Sequence, residues 1–125
     1  PIKSSLEENE NDLLQANIKK VRAVEQEICQ EDFSIDRLAN LCEATPKDVS
    51  QVINERMGCS FVLLLSEYRI KEACRRLDDE ENFGRLTLEA IGRSVGFKAR
   101  ESFSRAFKRV TGVSPSVYQR RLTEK

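Results

Sequence analysis

The feature that most constrains the fold of this chain is an internal repeat with a period of about 53 residues. Each copy carries a capping residue, apolar residues at helical spacing and a closing glycine. The corresponding pairs are Ser34 with Thr87, Ile35 with Leu88, Leu38 with Ile91, Cys42 with Val95, Val49 with Phe103, Ile53 with Phe107, Gly58 with Gly112, and Ser60 with Ser114. Two short helices joined by a tight turn, the second of them amphipathic, make up the helix-turn-helix plan. Its occurrence twice predicts two helix-turn-helix subdomains.

Helical spacing of apolar residues extends over nearly the whole chain and predicts an all-α fold of about seven helices. Five glycines and three prolines are the few breakers, and no strand-like alternation persists. Ser34 and Thr45 are predicted N-caps. Pro46 and Asp48 suit the first turn of the helix that follows Thr45, and Gly58 is its predicted stop.

A single helix is predicted between the two copies, from about Ser60 to Leu77. Its apolar face changes side when the residues are placed 100° apart. One face carries Phe61, Leu64, Leu65 and Tyr68, and the roughly opposite face carries Ile70, Ala73, Cys74 and Leu77. A helix packed on one core keeps one stripe, so we expect the two halves to serve different cores. At 1.5 Å per residue this long connecting helix measures about 27 Å.

The predicted domain organisation has four parts. Residues 1–11 are polar and acidic and are expected to form a linker or a disordered start. Residues 12–59 form the first helix-turn-helix subdomain, with a leading helix from about Asp12 to Gln30. The apolar positions of that helix include Leu13, Ala16, Ile18, Val21, Val24 and Ile28. Residues 60–77 are the connecting helix, and residues 78–125 are the second subdomain, which begins with a loop at 78–85.

The charge of the chain is polarised although its formal net charge is zero. Residues 1–84 carry 11 basic and 18 acidic side chains, whereas residues 85–125 carry 10 basic and 3 acidic ones. Such asymmetry is typical of a chain in which one half meets a polyanion. A solvated helix face would show it as well, so charge alone does not separate the two interpretations.

Several classes of function are disfavoured by the composition. The sequence has no histidine and no Gly-rich phosphate loop, so we expect no enzyme activity, no metal site and no cofactor. The acidic run at residues 78–81 is better explained by solvation of a loop. No signal peptide and no apolar stretch of about 20 residues is visible. The four cysteines form no CxxC pair and are expected to be reduced, mostly buried thiols of a cytoplasmic protein.

The helix predicted from about Ala99 to Val110 has the chemistry of a DNA-reading helix. Its inward residues are Phe103, Phe107 and Val110. Its outward residues are Arg100, Glu101, Ser104, Arg105 and Lys108. Arginine pairs with the two major-groove acceptors of guanine, whereas Lys108, Arg109 and Arg93 suit phosphates. A solvated helix face is the alternative, but the repeat and a connecting helix on the scale of the roughly 34 Å DNA turn favour DNA.

Residues 34–118 resemble the DNA-binding domain of the AraC/XylS-type bacterial transcription regulators. The resemblance rests on SVGFKARESFSRAFKRVTGVSPSVY at residues 94–118 and on TPKDVSQVINERMGCSF at residues 45–61. It implies two helix-turn-helix units joined by a helix that bind double-stranded DNA as a sequence-specific transcription regulator. Each recognition helix would read one of two adjacent major-groove segments of a promoter.

The resemblance also implies which residues contact DNA. In the first recognition helix the matching positions are Lys47, Ser50, Gln51 and Asn54. In the second they are Arg100, Glu101, Ser104 and Arg105, with Lys108 near the DNA backbone. Arg93 is a further phosphate contact, expected from its charge.

The first unit departs from the family pattern at three positions. Asp48 stands where an aromatic residue is usual, Gln51 where arginine is frequent, and Glu43 where glycine is common. In the second unit, Ala99 occupies a cap position that is usually polar. Because acidic groups oppose phosphate, we expect the second unit to dominate affinity. The first would read bases weakly, with Gln51 or Asn54 addressing adenine, or act through shape and protein contacts.

The alternative interpretation is a helical protein-interaction module without DNA readout. The acidic first half and an exposed Val62 or Leu63 would then meet a protein partner. Binding to such a partner would depend weakly on salt, whereas affinity for a DNA duplex falls steeply with salt.

Because the chain begins with Pro1 rather than Met, we expect it to be an excerpt of a longer protein. The segments VINERMG and NFGRLTLEAIG look like the branch of the family with large sensory or membrane-bound N-terminal parts. RNA polymerase or a dimer partner would be contacted through regions outside this chain. No small molecule is expected to bind within it.

Overall fold

A computed structural model of the chain describes residues 10–16, 18 and 25–123, and every regular element among them is a helix. The all-α fold is therefore confirmed. Helix α1 comprises the helical residues 10–16 and 18. The later helices are α2 (Glu25–Ile28), α3 (Ile35–Leu41), α4 (Pro46–Met57), α5 (Phe61–Asp78), α6 (Glu80–Phe83), α7 (Leu88–Ser94), α8 (Arg100–Thr111) and α9 (Pro115–Thr123).

The chain divides into two compact units. Unit 1 contains the residues up to Glu27 together with Phe33–Leu64, and unit 2 contains Ile28–Asp32 together with the residues from Leu65 onward. The division falls inside α5. Leu64 is buried in unit 1, whereas Ile70 and Ala73 belong to the core of unit 2. The boundaries given above for the linker and subdomains stay predictions.

Unit 1 contains the first helix pair, in which α3 packs against α4. Its buried apolar residues are Leu14, Ile18, Phe33, Leu38, Ala39, Cys42, Val49, Val52, Ile53 and Leu64. Ser34 Oγ accepts a hydrogen bond from the Arg37 amide at 3.2 Å, and Thr45 Oγ1 accepts one from the Asp48 amide at 3.1 Å. Helix α4 ends at Gly58, whose φ is 68°. Both predicted caps and the glycine stop are confirmed.

Unit 2 contains the second helix pair, α7 and α8, with α9 packed on α8. Its core consists of Ile70, Ala73, Ile91, Val95, Phe97, Phe103, Ala106 and Phe107, flanked by the half-buried Cys29, Cys74, Leu77, Phe83, Val110 and Tyr118. A row of aromatic rings runs through this core. The centroid of Phe103 lies 5.6 Å from Phe97 and 5.6 Å from Phe107, which lies 5.4 Å from Tyr118. Each such pair adds about 0.5–1.5 kcal/mol beyond burial.

The leading helix differs from its prediction in the face that it buries. Leu14 and Ile18 are buried, whereas Leu13 is 65% exposed. Residues four apart share a face, and Leu13 lies about 100° away from Leu14. Val21 and Val24 lie outside the described residues. Helix α2 ends at Ile28, two residues before the predicted end, because the chain turns there.

The segment 78–85, predicted as a loop, contains the one-turn helix α6. Asp79 caps this helix: its Oδ1 accepts from the Asn82 amide at 3.2 Å, and its Oδ2 accepts from Asn82 Nδ2 at 2.9 Å. Glu80 and Glu81 lie in the first turn, where the helix dipole favours acidic groups. The acidic run thus starts a helix. Over the described part of the chain, no group of His, Cys, Asp or Glu side chains is arranged to hold a metal ion.

None of the four cysteines, all of which lie in the described part of the chain, forms a disulfide. Cys42 is buried, whereas Cys29, Cys59 and Cys74 are partly exposed, so the expectation of mostly buried thiols was wrong for three of them. Burial raises the pKa of Cys42 and also that of Cys74. Among the described residues, no helix is both long enough and apolar enough to span a bilayer.

Candidate nucleic-acid interface

Helix α8 presents one apolar and one charged face. Phe103, Ala106 and Phe107 are buried, and Val110 packs against the same core. The exposed residues of the opposite face are Arg100, Glu101, Arg105, Lys108 and Arg109, with Ser104 half-buried among them. The helix ends at Gly112, whose φ is 86°. The structure thus brings the predicted reading residues of the second unit onto one exposed face.

The cations of α8 lack carboxylate partners in the described part of the chain. No carboxylate forms an ion pair with Arg100, Arg105, Lys108 or Arg109. Arg105 Nε lies 3.5 Å from the Glu101 carbonyl oxygen, which is long for a hydrogen bond. The positive charge of this face is therefore available to an external anion.

Several cations of other helices are paired within the chain, although Lys47 of α4 and Arg120 and Arg121 of α9 form no ion pair among the described residues. Lys71 Nζ lies 3.2 Å from Glu67, and Arg75 and Arg76 lie 2.7 Å and 2.6 Å from Glu72. In unit 1, Arg56 pairs with Asp12 and Arg37 pairs with Glu27. Helix α8 carries four cations and none of them is paired in this way within the described residues, whereas an ordinary solvated helix usually interleaves its charges with opposite ones.

Arg93 lies in the last turn of α7. Its Nη2 lies 3.3 Å from Glu89 Oε1, and its side chain is 70% exposed. Arg93 and Arg100 line the same surface depression, together with Ala99 and the rings of Phe97 and Phe103. The structure therefore brings Arg93 next to the start of α8, although the two residues belong to different helices.

The turn between α7 and α8 fixes the direction in which α8 starts. The Gly96 amide donates to Arg93 O and the Phe97 amide donates to Gly92 O, both at 3.0 Å. Gly96 has a φ of 105°, which is accessible to glycine at little cost. Phe97 turns its buried ring toward Phe103 on α8. Ala99 precedes α8 and supplies no side-chain cap, as expected from its sequence.

The predicted reading residues of the first unit lie on α4. Lys47, Gln51 and Asn54 are exposed, and Ser50 is half-buried. Gln51 Nε2 donates to Glu55 Oε1 at 3.2 Å, so its amide is engaged within the helix. Helix α4 carries two cations and two carboxylates, whereas α8 carries four cations and one carboxylate.

Two polar groups that support unit 2 were missed by the sequence interpretation. Glu72 is 8% exposed and accepts from both Arg75 and Arg76, and Arg76 Nη1 also donates to the Ser94 carbonyl and hydroxyl oxygens at 3.0 Å. Arg69, equally buried, donates to two carbonyl oxygens. The sequence does contain a signal for these two buried groups. Arg69 directly precedes Ile70 and Glu72 directly precedes Ala73, so both charged residues lie beside the apolar stripe of α5.

Comparison with known proteins identifies the family to which this chain belongs. The family model for the helix-turn-helix domain matches residues 38–121. The arabinose operon regulatory protein of Escherichia coli (strain K12) is 28% identical over 102 residues, which is 82% of this chain and 34% of that protein. The raffinose operon transcriptional regulatory protein RafR of Pediococcus pentosaceus is 39% identical over 57 residues, which is 46% of this chain and 19% of that protein. The chain spans about a third or less of the length of these curated relatives.

Solved structures agree with the family match. The C-terminal domain of AraT, a response regulator from Geobacillus stearothermophilus, is similar with a TM-score of 0.68 and 27% identity, and the match covers 86% of this chain and 84% of that one. A DNA-binding transcriptional dual regulator from Escherichia coli K-12 shares the fold, with a TM-score of 0.73 and 19% identity over 86% of this chain and 93% of that one. These relatives are regulators by name. The chain belongs to the AraC-type helix-turn-helix domains, the DNA-binding domains of a family of transcription regulators.

Proposed function

We propose that α8 enters the major groove of double-stranded DNA and supplies most of the affinity, while α4 binds an adjacent groove segment more weakly. The observation that carries this proposal is the row of cations on α8 that lack carboxylate partners among the described residues. Cations that are not neutralised internally can displace the counterions condensed on DNA, and this displacement supplies affinity.

Base reading is assigned to the first half of α8. Arg100 and Arg105 are exposed and can each donate two hydrogen bonds to guanine N7 and O6. Glu101, between them in sequence, can accept from the amino group of cytosine. Each good bidentate pair discriminates by about 1–3 kcal/mol. Ser104, half-buried on the same face, suits a short contact to a base or a sugar.

Phosphate contacts are assigned to Lys108 and Arg93, with Arg109 beside them. Lys108 is exposed in the last turn of α8, away from the base-reading half. Arg93 would exchange its ion pair with Glu89 for a phosphate. Both partners of that pair are more than half exposed, and exposed pairs contribute at most about 1 kcal/mol, so the exchange costs little.

Within α4, Asn54 is the better candidate for reading adenine than Gln51. The amide of Gln51 already donates to Glu55, whereas Asn54 makes no side-chain hydrogen bond within the described residues. Lys47 is exposed in the first turn of α4 and suits a phosphate. Asp48 is in the same turn and opposes that phosphate, which supports a weaker role for this helix.

The first test is fluorescence anisotropy on a random-sequence duplex from low to physiological salt. We expect steep salt dependence, with a slope that is shallower by about 1 for Lys108→Ala, since one phosphate contact is lost. Arg105→Ala should weaken binding as well. Lys71→Ala is the matched control, because Lys71 is an exposed cation on α5 that already has a carboxylate partner. A folded protein that fails to bind at low salt would exclude the proposal.

The second test asks whether α4 binds DNA together with α8. Duplexes of about one and about two helical turns, roughly 10 and 21 base pairs, are compared. We expect tighter binding to the longer duplex, and we expect Lys47→Ala or Asn54→Ala to remove that gain. A gain that survives both substitutions would assign all DNA contacts to unit 2.

A protein-interaction role is the second candidate. Val62 is 69% exposed and Leu63 is 42% exposed at the start of α5, which is unusual for adjacent apolar residues. Val62→Ser with Leu63→Ser should leave duplex affinity unchanged if this patch meets protein. A loss of duplex affinity in that variant would place the patch near DNA instead.

The wider role of the protein follows from the relatives. Proteins named as operon regulators match this chain. We infer that the protein regulates transcription in the cytoplasm, and that RNA polymerase or a dimer partner is contacted by regions outside the chain. In a reporter assay, Arg105→Ala should abolish regulation. Retained regulation would contradict this inference.

A further inference from the structure

The short segment Ile28–Asp32 belongs to unit 2, although the residues on either side of it in sequence belong to unit 1. Arg69, on α5, holds this segment. Its Nε donates to the Ile28 carbonyl oxygen at 2.8 Å, and its Nη2 donates to the Gln30 carbonyl oxygen at 2.6 Å. Two donors of one planar guanidinium therefore fix two carbonyl groups in a defined orientation.

The same guanidinium lies against the turn between α7 and α8. A Cβ atom added to Gly96 would lie 2.8 Å from both Cζ and Nε of Arg69. Arg69 Cζ also lies 5.8 Å from the centroid of the Phe97 ring, within cation–π range. One side chain thus contacts the segment before α3 and the turn that directs α8.

Burying the charge of Arg69 costs free energy, which indicates that the role of this residue lies in the contacts that its guanidinium makes. Arg69 is 8% exposed, and no carboxylate in the described residues forms an ion pair with it. Burial lowers the pKa of Arg69, and the electrostatic influence of Cys29 and Glu31 opposes that shift. Apolar residues often fill such a site at lower cost than a buried charge. What an apolar residue cannot do is hold two carbonyl groups and a turn together.

We propose that Arg69 is a positioning residue that couples the segment Ile28–Asp32 to the turn between α7 and α8, so that the position of this segment controls DNA binding by α8. This rests on the proposed function of α8. A shift of the segment would move the guanidinium, and the guanidinium is in contact with Gly96 and Phe97. Regulation then reaches the DNA-binding face along this path without any contact between the segment and DNA.

The experiment compares Arg69→Met and Arg69→Lys with Lys71→Met, which removes an exposed cation from the same helix. Duplex binding is measured over a salt series at a temperature where circular dichroism shows every variant to be folded. Amide hydrogen exchange of Gly96 and Phe97 is measured in parallel. We expect Arg69→Met to weaken binding by roughly two- to thirty-fold, the range for coupling through packed networks, and to make the salt slope shallower. Exchange at both amides should accelerate, Arg69→Lys should be intermediate, and Lys71→Met should match the wild type.

A second pair of variants keeps the proposal testable if Arg69→Met does not fold. Gly96→Ala and Gly112→Ala both place a side chain at positive φ, but only the first meets Arg69, since nothing lies within 4 Å of a Cβ on Gly112. We expect Gly96→Ala, and not Gly112→Ala, to accelerate amide exchange within residues 28–32 and to weaken duplex binding.

Two outcomes overturn the proposal. One is a folded Arg69→Met protein with the duplex affinity and salt slope of Lys71→Met. The other is a Gly96→Ala protein whose exchange within residues 28–32 equals that of Gly112→Ala. If the wild type binds no duplex, the proposed function of α8 fails, and the exchange data alone decide whether the segment and the turn are coupled.

Discussion

The two helix-turn-helix pairs share one plan and differ in the turn. In both units a seven-residue helix follows a Ser or Thr cap, and a twelve-residue helix ends at a glycine with positive φ. The Ala44 amide donates to Ala39 O at 2.9 Å, as the Phe97 amide does to Gly92 O. Between the helices, however, unit 2 has one residue more, and the register of the repeat shifts at Lys98. The extra residue explains why the period is 53 before this point and 54 after it.

The difference in the turns extends to their backbone and side chains. Glu43 has a φ of 55° where the second unit has Gly96, and a non-glycine residue there is strained. Phe97 replaces Ala44 and adds a ring to the core. The first turn is short and carries an acid, whereas the second is longer, carries a cation and contacts Arg69. One scaffold thus yields two surfaces of different charge, which is why we assign them unequal roles.

The largest expected effect concerns the two cores. Phe107→Ala should lower the free energy of unfolding by about 3–5 kcal/mol, because the ring is fully buried and contacts two other rings. Ile53→Ala, at the matching position, should cost about 2–5 kcal/mol. Urea unfolding measures both. A smaller loss for Phe107→Ala than for Ile53→Ala would contradict the expectation that aromatic packing makes the core of unit 2 more sensitive to truncation than the core of unit 1.

The next effect concerns how closely the two helices of each helix-turn-helix pair pack against each other. Gly92→Ala should cost about 1–3 kcal/mol, because its Cβ would lie 2.8 Å from the Phe103 ring. The matching residue of unit 1 is Ala39, which is fully buried, and the residue that matches Phe103 is the smaller Val49. Ala39→Gly is the reciprocal change and should cost about 1 kcal/mol, from helix propensity. Thermal melting of the two variants measures both losses of stability. A Gly92→Ala protein as stable as the wild type would mean that the Phe103 ring has room to move aside.

A smaller effect concerns helix starts. Ala99→Thr should stabilise the protein by about 1 kcal/mol, because its hydroxyl can cap α8 as Thr45 caps α4. Thr45→Ala should destabilise by a similar amount. Chemical unfolding of both variants tests the pair. An unchanged Ala99→Thr protein would show that the longer turn of unit 2 does not permit cap geometry.

The smallest expected effect is a dependence on pH that arises in unit 2. Burial by itself raises the pKa of Glu72, but hydrogen bonds from Arg75 and Arg76 outweigh it and leave the pKa below its ordinary value. The unfolded chain therefore takes up this proton first as the pH falls, near the ordinary value of about 4.3, and stability declines from there through the lower pKa of the folded state. Above that window the contribution is fully present. Glu72→Gln should unfold with a weaker pH dependence below about pH 5, and equal slopes for the two proteins would contradict the assignment.

Much of the fold was accessible from the sequence because its signals are local. Ser34, Thr45 and Thr87 each cap the helix that begins one residue later, and a cap depends only on the three residues that follow it. The inward faces of α4 and α8 follow from spacing alone. The exposed face of α8 was predicted in the same way, whereas the DNA roles of its residues stay predictions.

The errors occurred where a residue's partner is distant in sequence or where two patterns compete. Leu13 and Leu14 both fit an apolar helix, and only packing buries Leu14. The sequence predicts a solvated loop at Asp79, where the structure has a helix cap, because a single helical turn is too short to show a period.

The sequence by itself determined the repeat, the all-α class, the helix starts and stops, and the charge difference between the two pairs. These properties depend on the spacing of residues, on close neighbours in the chain or on a sum of charges. They can therefore be predicted without knowing which helices pack against each other. Only the tertiary structure decided that Arg69 joins Ile28 and Gln30 to the turn at Gly96, and that Arg76 holds the end of α7. Those contacts connect residues 18 to 41 positions apart, and the spacing of side chains on one helix does not show which distant carbonyl group each will meet.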